Sequence, residues 1–320
     1  MRVTSSRVLC ALLVLALISR AWLVGVLDVP ALRTAATIFV AVCVQAMPFL
    51  VLGTLLSGAI AAFVPATVLR RVLPRNPMLA VPVAGLAGVT LPGCECASVP
   101  LARRVMQQGV PPAVALTFLL AAPAVNPVVL VATAVAFPGD LEMVPARFLG
   151  SLLTATAVGW LWARVGRTEW IAERALRRLP LRTGTARWEV FVETARHDLV
   201  EAGGFLVVGG LTAAALQVAV GKGWLEALGG HLAVGIVAMA LLAVVLALCS
   251  EADAFVAASL AGLPLLPRLV FLVVGPAVDV KLIALQAGTF GKAFAARFAP
   301  MTFVVATLCS VPAGLLLGVR

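Results

Sequence analysis

Long apolar segments follow one another along most of this chain, and they restrict what it can fold into. A helix of about 20 apolar residues crosses the hydrocarbon core of a bilayer. The segments of that kind are residues 8–27, 35–63, 78–100, 112–137, 144–163, 199–220, 231–256, 267–287 and 298–319. Hydrophobic residues make up 62% of the chain and charged residues 12%, whereas soluble domains are about half apolar and a quarter charged. The sequence therefore predicts an all-α polytopic membrane protein with about 7–9 transmembrane helices, whose first partner is the lipid bilayer.

The first apolar segment has some features of a signal peptide. Arg2 and Arg7 precede it, but no small-x-small cleavage site leads into a polar region, and Arg20 follows its apolar core. We therefore expect residues 1–34 to hold an uncleaved transmembrane anchor.

A polar insert, residues 164–197, divides the rest of the chain. It contains eight Arg and four Glu, and residues 169–179 have the pattern of an amphipathic helix on a membrane surface. We interpret it as a basic linker between two transmembrane units, residues 35–163 and 198–320.

The two units resemble each other. Residues 45–53 align with residues 201–209 at an offset of 156, and the same offset pairs Glu95 with Glu251. After a three-residue deletion, Pro123-Ala124-Val125-Asn126 aligns with Pro276-Ala277-Val278-Asp279. Because glycine, proline and polar positions rarely match at fixed spacing by chance, the sequence predicts an internal duplication.

The distribution of Lys and Arg favours one orientation in the membrane. If every segment crosses, 13 basic residues lie inside and 9 outside, but if residues 78–100 and 231–256 enter and leave on the same side, the counts become 17 and 5. The second arrangement follows the positive-inside rule better, with the N-terminus and residues 164–197 in the cytoplasm. It predicts two inverted repeats, each with a broken or re-entrant element, which is a transporter architecture. It also explains the net charge of +10 without nucleic-acid binding, for which an aromatic-interleaved basic groove is missing.

A broken stretch within membrane sequence is the first candidate site. Pro92 and Gly93 should end any preceding helix and leave Cys94 to Cys96 extended or at a helix start. In an extended segment the two thiols share a face and form a soft chelating pair for a thiophilic ion. Cys249 is the natural third thiol, so the predicted metal ligands are Cys94, Cys96 and Cys249. The alternative is a pair of inert thiols in a tight turn.

Acidic and amide residues in apolar surroundings extend this site. Ionisable groups at membrane depth usually mark substrate or proton pathways. The set predicted to bind substrate is Cys94, Glu95, Cys96, Asn126, Glu251, Asp253 and Asp279. Simpler roles stay open: a position at an aqueous loop mouth for the glutamates, a helix cap for Asp253, a clamp between helices for Asn126, and a structural pair with Lys281 for Asp279.

The motifs resemble a known family. They are Cys94-Glu95-Cys96-x-x-x-Pro100-x-Ala102-Arg103-Arg104, Gly109-Val110-Pro111, Pro123-x-x-Asn126-Pro127, Cys249-Ser250-Glu251-Ala252-Asp253 and Gly275-Pro276-x-x-Asp279-x-Lys281. Together they are similar to bacterial predicted permeases related to the ArsP arsenical efflux permeases, in the branch with a Cys-Glu-Cys motif. The resemblance covers residues 35–319.

This resemblance implies a multi-pass inner-membrane permease that exports a thiophilic metal ion, a metalloid or an organoarsenical. It also implies a small membrane or lipoprotein subunit as a candidate partner, and it leaves homo-oligomerisation open. Members assigned to arsenicals have a small residue between the cysteines, where this chain has Glu95. No nucleotide-binding loop occurs, and we expect no cofactor and no enzymatic activity. Two alternatives remain: a thiol–disulfide electron carrier using Cys94, Cys96 and Cys249, and a non-transporting subunit of a membrane complex.

Overall fold

The computed structural model describes residues 30–64, 74, 76–90, 95–176, 186–219, 232–260 and 262–319. The predicted first span, Cys94 and residues 177–185 of the predicted linker lie outside the described residues. Within the described part every regular element is a helix, which confirms the all-α class.

The first half contains two long helices and a set of shorter, interrupted ones. Its helices are α1 (Pro30–Phe63), α2 (Pro77–Ala87, continued by the 3₁₀ turn Gly88–Thr90), α3 (Glu95–Gln107), α4 (Pro112–Val125), α5 (Pro127–Ala136) and α6 (Met143–Val165). The short helix α7 (Glu173–Leu176) lies in the polar insert.

The second half likewise begins and ends with a long helix and has shorter helices between them. Its helices are α8 (Arg187–Ala219), α9 (Leu232–Leu246), α10 (Asp253–Ser259), α11 (Leu265–Ala277), α12 (Val280–Thr289) and α13 (Lys292–Leu316). The predicted span 231–256 is therefore interrupted by residues 247–252. In the predicted span 78–100, regular structure is described up to Thr90 and again from Glu95, and residues 91–94 lie outside the described residues.

Six helical segments of the described part are long and apolar enough to cross a membrane. They are Pro30–Phe63, Pro112–Ala136, Met143–Val165, Arg187–Val218, Leu265–Thr289 and Lys292–Leu316. The apolar helices that fall short of this length, Met78–Thr90 and Leu232–Leu246, belong to the two elements predicted to re-enter. A polytopic membrane protein is thus confirmed, while re-entry itself stays a prediction.

The break between α4 and α5 has a local cause. Pro127 disfavours helical backbone at the residue before it, and Asn126 is extended, with φ −72° and ψ 154°. The Asn126 side chain accepts a hydrogen bond from the Val129 N–H (3.0 Å) and donates one to the Ala122 carbonyl (3.0 Å). It therefore satisfies backbone groups on both sides of the break.

Asp279 caps the helix that follows the corresponding break, between α11 and α12. Its backbone is extended, and its Oδ1 accepts a hydrogen bond from the Leu282 N–H at 2.6 Å. The residues aligned by the predicted duplication thus have the same local structure.

Corresponding helices of the two halves also pack in corresponding ways. The long helices α1 and α8 pack against each other, as do α6 and α13. In addition, α3 packs on α12, and its counterpart α10 packs on α5. The interrupted element of each half therefore contacts the broken helix of the other half.

Two aligned glycines allow the closest helix contacts. A Cβ placed on Gly53 of α1 would lie 2.5 Å from Ala97 Cα, and one on Gly209 of α8 would lie 2.9 Å from Lys281 Cα. Real Cβ atoms do not come this close to backbone, so only glycine fits. Each long helix thus packs directly on backbone, α1 near the start of α3 and α8 near the start of α12.

The polar insert differs from its prediction in the described part. Instead of a continuous amphipathic helix from residue 169, the chain forms the turn Thr168–Trp170 and then α7. The Ala172 N–H donates to the Phe290 carbonyl (2.7 Å), and the Gln107 side chain donates to the Ala175 carbonyl (2.9 Å). These tertiary contacts compete with a regular helix and hold this part of the insert against the helical body.

Candidate functional site

A buried lysine connects the starts of two helices. Lys281 lies in the first turn of α12 and is 1% exposed. Its Nζ is 2.5 Å from Glu95 Oε1, at the start of α3, and 3.9 Å from Asp279 Oδ2. Because Glu95 and Asp279 are also buried, three ionisable groups of both halves meet away from solvent.

A buried arginine holds the second interruption. Arg147 of α6 is 0% exposed, and its Nη2 donates to Asp253 Oδ2 (2.8 Å) and to the Ser250 carbonyl (2.9 Å). Its Nη1 donates to Thr133 Oγ1 on α5 (2.8 Å). One guanidinium therefore fixes the loop that follows α9, the start of α10 and the helix α5.

The lysine and arginine groups form one cluster. Asp253 lies within electrostatic range of Glu95 and Glu251, and the thiols of Cys96 and Cys249 lie within that range of Lys281. We call this set the central cluster; its members are Glu95, Cys96, Arg147, Cys249, Glu251, Asp253, Asp279 and Lys281. When all its acids are ionised, four carboxylates face two bases.

Several carboxylate oxygens of the central cluster accept no hydrogen bond within the described residues. Glu95 Oε2, Asp253 Oδ1, Asp279 Oδ2 and both carboxylate oxygens of Glu251 are buried and lack a hydrogen-bond partner within the described residues. Buried polar atoms without partners are costly. Chemically, such oxygens can accept a proton, a hydrogen bond from water or a bond to a cation.

A cavity of about 150 Å³ adjoins the central cluster. It lies between α1, the end of α8 and the loop that follows α9. Its wall is mainly apolar, with Cys249, Lys281, Gln45 and Gln217 as the groups that offer sulfur, nitrogen or amide contacts. A small molecule in this cavity would touch one thiol and the buried lysine.

Most of the predicted site residues in the described part come together here. Glu95, Cys96, Glu251, Asp253 and Asp279 belong to the central cluster, and so does the predicted metal ligand Cys249. Asn126 instead bonds to backbone in its own break. Asp253 begins α10 but does not cap it with its side chain, because its carboxylate binds Arg147.

The predicted set of three thiol ligands stays a prediction, because Cys94 lies outside the described residues. Across the part of the chain that is described, no three His, Cys, Asp or Glu side chains are arranged as metal ligands. Cys96 and Cys249 form no disulfide bond within the described residues.

Sequence reasoning missed Arg147. Positive charges near span ends were treated as orientation signals, and Arg147 stands near the start of the predicted span 144–163. Its signal was an uncompensated arginine inside an apolar segment, together with acids elsewhere at membrane depth.

A second polar network, also missed, lies at the other end of α3. Arg104 Nη2 is 3.3 Å from Asp198 Oδ2 of α8, and Ser57 Oγ of α1 donates to the same oxygen at 2.5 Å. Next to it, Arg103 pairs with Glu201, which His197 Nε2 approaches to 3.6 Å. This network joins α1, α3 and α8 at the side predicted to be cytoplasmic.

Comparisons with known proteins agree with this architecture. The ArsP_1 family model, described as a predicted permease, matches residues 31–315. The chain is 33% identical over 266 residues to a "Putative two-component membrane permease complex subunit" of Streptococcus mutans serotype c, covering 82% of this chain and 88% of that protein. It is 34% identical over 273 residues to "UPF0718 protein YcgR" of Bacillus subtilis (strain 168), covering 84% and 92%. No solved structure matches.

Proposed function

Because this chain belongs to the ArsP_1 family of predicted permeases, we propose that it is a secondary permease that exports a thiophilic metal ion, a metalloid or an organoarsenical. The observation that carries this proposal is the central cluster. The helices α3 and α10, one from each half, begin there beside a cavity. Their first turns and the residues just before α10 bring carboxylates and two thiols together.

The charges of the central cluster favour a cationic substrate. When ionised, its four carboxylates outnumber its two bases by two, and an uncompensated buried charge is strongly unfavourable. A bound cation offsets that cost, whereas an anion adds to it. Glu95, Glu251 and Asp253 set the charge of the site, and Cys96, Cys249 and Cys94 are the proposed soft ligands, because thiolates select thiophilic ions.

The proposed transport cycle uses two inverted repeats in the inner membrane, with residues 164–197 in the cytoplasm. The matched packing of α1 with α8, of α3 with α12 and of α10 with α5 supports a pseudo-twofold arrangement. In this proposal the network of Arg103, Arg104, Asp198 and Glu201 closes the cytoplasmic side while the cavity faces the other way. A gradient or a second subunit supplies the energy.

A second subunit is part of the proposal. The relative from Streptococcus mutans is named as a subunit of a two-component membrane permease complex. We propose that this chain also works with a small membrane partner.

The test measures transport by inside-out vesicles from a deletion strain that expresses each variant, with silver, zinc, arsenite and phenylarsine oxide as substrates. We expect Cys96→Ser and Cys249→Ser to reduce accumulation of the transported compound about tenfold or more, because each removes a soft ligand. Cys94→Ser/Cys96→Ser should abolish it.

Matched controls are available in the same chain. Cys43→Ser and Cys309→Ser make the same chemical change in α1 and α13, at thiols that belong neither to the central cluster nor to the cavity lining, and should transport like the wild type. Wild-type transport by the Cys96, Cys249 and Cys94/Cys96 variants would rule out the thiol site.

A further inference from the structure

We propose that the Lys281 ammonium is a resident cation of the transport site, which a singly charged, soft cationic substrate displaces; this inference rests on the proposed permease function. No other lysine or arginine in the described part pairs with acids from the starts of both α3 and α12.

The ammonium is incompletely matched to its two acids. It contacts one oxygen of Glu95 at 2.5 Å and lies 3.9 Å from Asp279, beyond hydrogen-bond range. Glu95 Oε2 and Asp279 Oδ2 remain buried without hydrogen bonds in the described part. The pair of carboxylates therefore has room and charge for a cation other than the ammonium.

The position of Lys281 on its helix makes the ammonium replaceable. It lies in the first turn of α12, where the helix dipole presents partial positive charge and disfavours a cation. The ion pairs that hold it there, within the described residues, are those with Glu95 and Asp279. A cation that binds these acids and a nearby thiol can take its place.

The structure also offers a place for the displaced side chain. Lys281 lines the cavity of about 150 Å³, whose volume admits several water molecules. Gly209 packs against the Lys281 backbone, so exchange needs rotation of the flexible side chain and no shift of α12. Apolar neighbours such as Val42 and Leu248 can cover its methylene groups.

This exchange defines the charge of the substrate. The ammonium stays in the adjoining cavity after it leaves the two carboxylates, so Glu95, Asp279, the ammonium and a singly charged ion together carry no net charge. With a doubly charged ion the same groups carry one net positive charge in a medium of low dielectric constant, which is unfavourable. The site therefore selects a small, singly charged cation, and Cys249 at the cavity wall makes it a soft one.

The experiment measures silver and zinc binding to the purified full-length protein in detergent and chloride-free buffer, by metal analysis after gel filtration. Removing the competitor with Lys281→Met should raise the affinity for silver about tenfold or more and should permit zinc binding. Lys292→Met, the same change at an exposed lysine, should bind silver like the wild type.

A second variant covers the case in which Lys281→Met does not fold. Asp279→Asn/Lys281→Met leaves one carboxylate without an ammonium and keeps an oxygen at position 279 to cap α12. It should bind silver at least as tightly as the wild type. Silver affinity equal to that of the wild type in Lys281→Met, or weaker than the wild type in either variant, overturns the inference.

The cysteine variants separate this inference from the proposed function. If Cys96→Ser and Cys249→Ser abolish silver binding while Lys281→Met binds silver like the wild type, only the resident-cation role fails. If the cysteine variants bind silver like the wild type, the proposed thiol site itself fails.

Discussion

At the scale of single residues, two buried bases decide how the acids of this protein are neutralised. Arg147 and Lys281 are both almost fully buried. Arg147 contacts Asp253 at the start of α10, and Lys281 contacts Glu95 at the start of α3. Isolated buried charges are too costly to persist, so each depends on its partner. The planar guanidinium of Arg147 donates hydrogen bonds to three groups at once, which suits a fixed structural role. The ammonium of Lys281 is a point charge on a flexible side chain, which suits a role that involves movement.

Arg147→Met should destabilise the protein strongly. It leaves Asp253 buried without its partner and frees the Ser250 carbonyl and Thr133 hydroxyl, a loss of about 3–5 kcal/mol by analogy with broken buried ion pairs. The free energy of unfolding in detergent measures this.

The double variant Arg147→Met/Asp253→Asn removes both charges and should recover part of the loss. The matched control is Arg196→Met, which breaks an exposed pair with Glu193 and should leave stability unchanged. Equal stability of Arg147→Met and Arg196→Met would contradict a structural role for Arg147.

At the scale of helices, the breaks are stabilised by the same side-chain caps that stabilise regular helix ends. Asn126 and Asp279 cap α5 and α12 from extended backbone, and Gly53 and Gly209 let the long helices approach the backbone near the site. In a membrane, broken helices persist only where protein or water satisfies the freed backbone groups. The breaks are therefore stable parts of the architecture that hold the central cluster in place.

Gly53→Ala and Gly209→Ala should each destabilise the protein by about 1–3 kcal/mol, because the added methyl groups overlap the backbone at Ala97 and Lys281. Transport should fall as well, since both contacts lie at the central cluster. Thermal unfolding in detergent and vesicle transport measure the two effects.

Gly204→Ala is the matched control in α8. Nothing lies within 4 Å of its added methyl group, so helix propensity should make it neutral or stabilising by up to about 1 kcal/mol. If Gly53→Ala and Gly209→Ala behaved like Gly204→Ala, the close backbone contacts would not be required.

At the scale of the whole molecule, the lengths of the described helices agree with the arrangement that the charge count favours. The six long helical segments match six of the seven crossings of the second arrangement, and the remaining crossing is the predicted span 8–27, outside the described residues. Near the C-terminal end of α3, Arg103 pairs with Glu201 and Arg104 pairs with Asp198, both on α8. These pairs lie on the side predicted to be cytoplasmic.

Fusions at the C-terminus distinguish the two arrangements. With seven crossings and residues 164–197 inside, residue 320 lies outside, whereas nine crossings with the same insert place it inside. We expect alkaline phosphatase fused after Arg320 to be active and green fluorescent protein at the same point to be dark. A fluorescent fusion without phosphatase activity would favour nine crossings. Both reporters inserted within residues 177–185 give the cytoplasmic reference.

The sequence by itself determined the class of the fold and the helix end that precedes Cys94. Apolarity, proline and glycine act on neighbouring residues, so the apolar spans and the stop at Pro92-Gly93 were predicted from local chemistry. The breaks at Asn126 and at residues 278–279 lie within segments that were predicted to be continuous spans. The matched positions of the two halves also identified the acids that meet in the central cluster. In the described part of the polar insert only the start of the predicted amphipathic helix differs, because residues 169–172 form a turn held by the Ala172 contact with Phe290, while residues 173–176 are helical.

Only the tertiary structure decided which charges meet. Arg147 and Asp253 are 106 positions apart, and Glu95 and Lys281 stand in different halves. Such pairs depend on how helices pack, and no local pattern encodes that. The cavity beside Lys281 likewise exists only where α1, α8 and the loop after α9 come together. Burial then forces each charge to find a partner, which turns separate polar residues into one site.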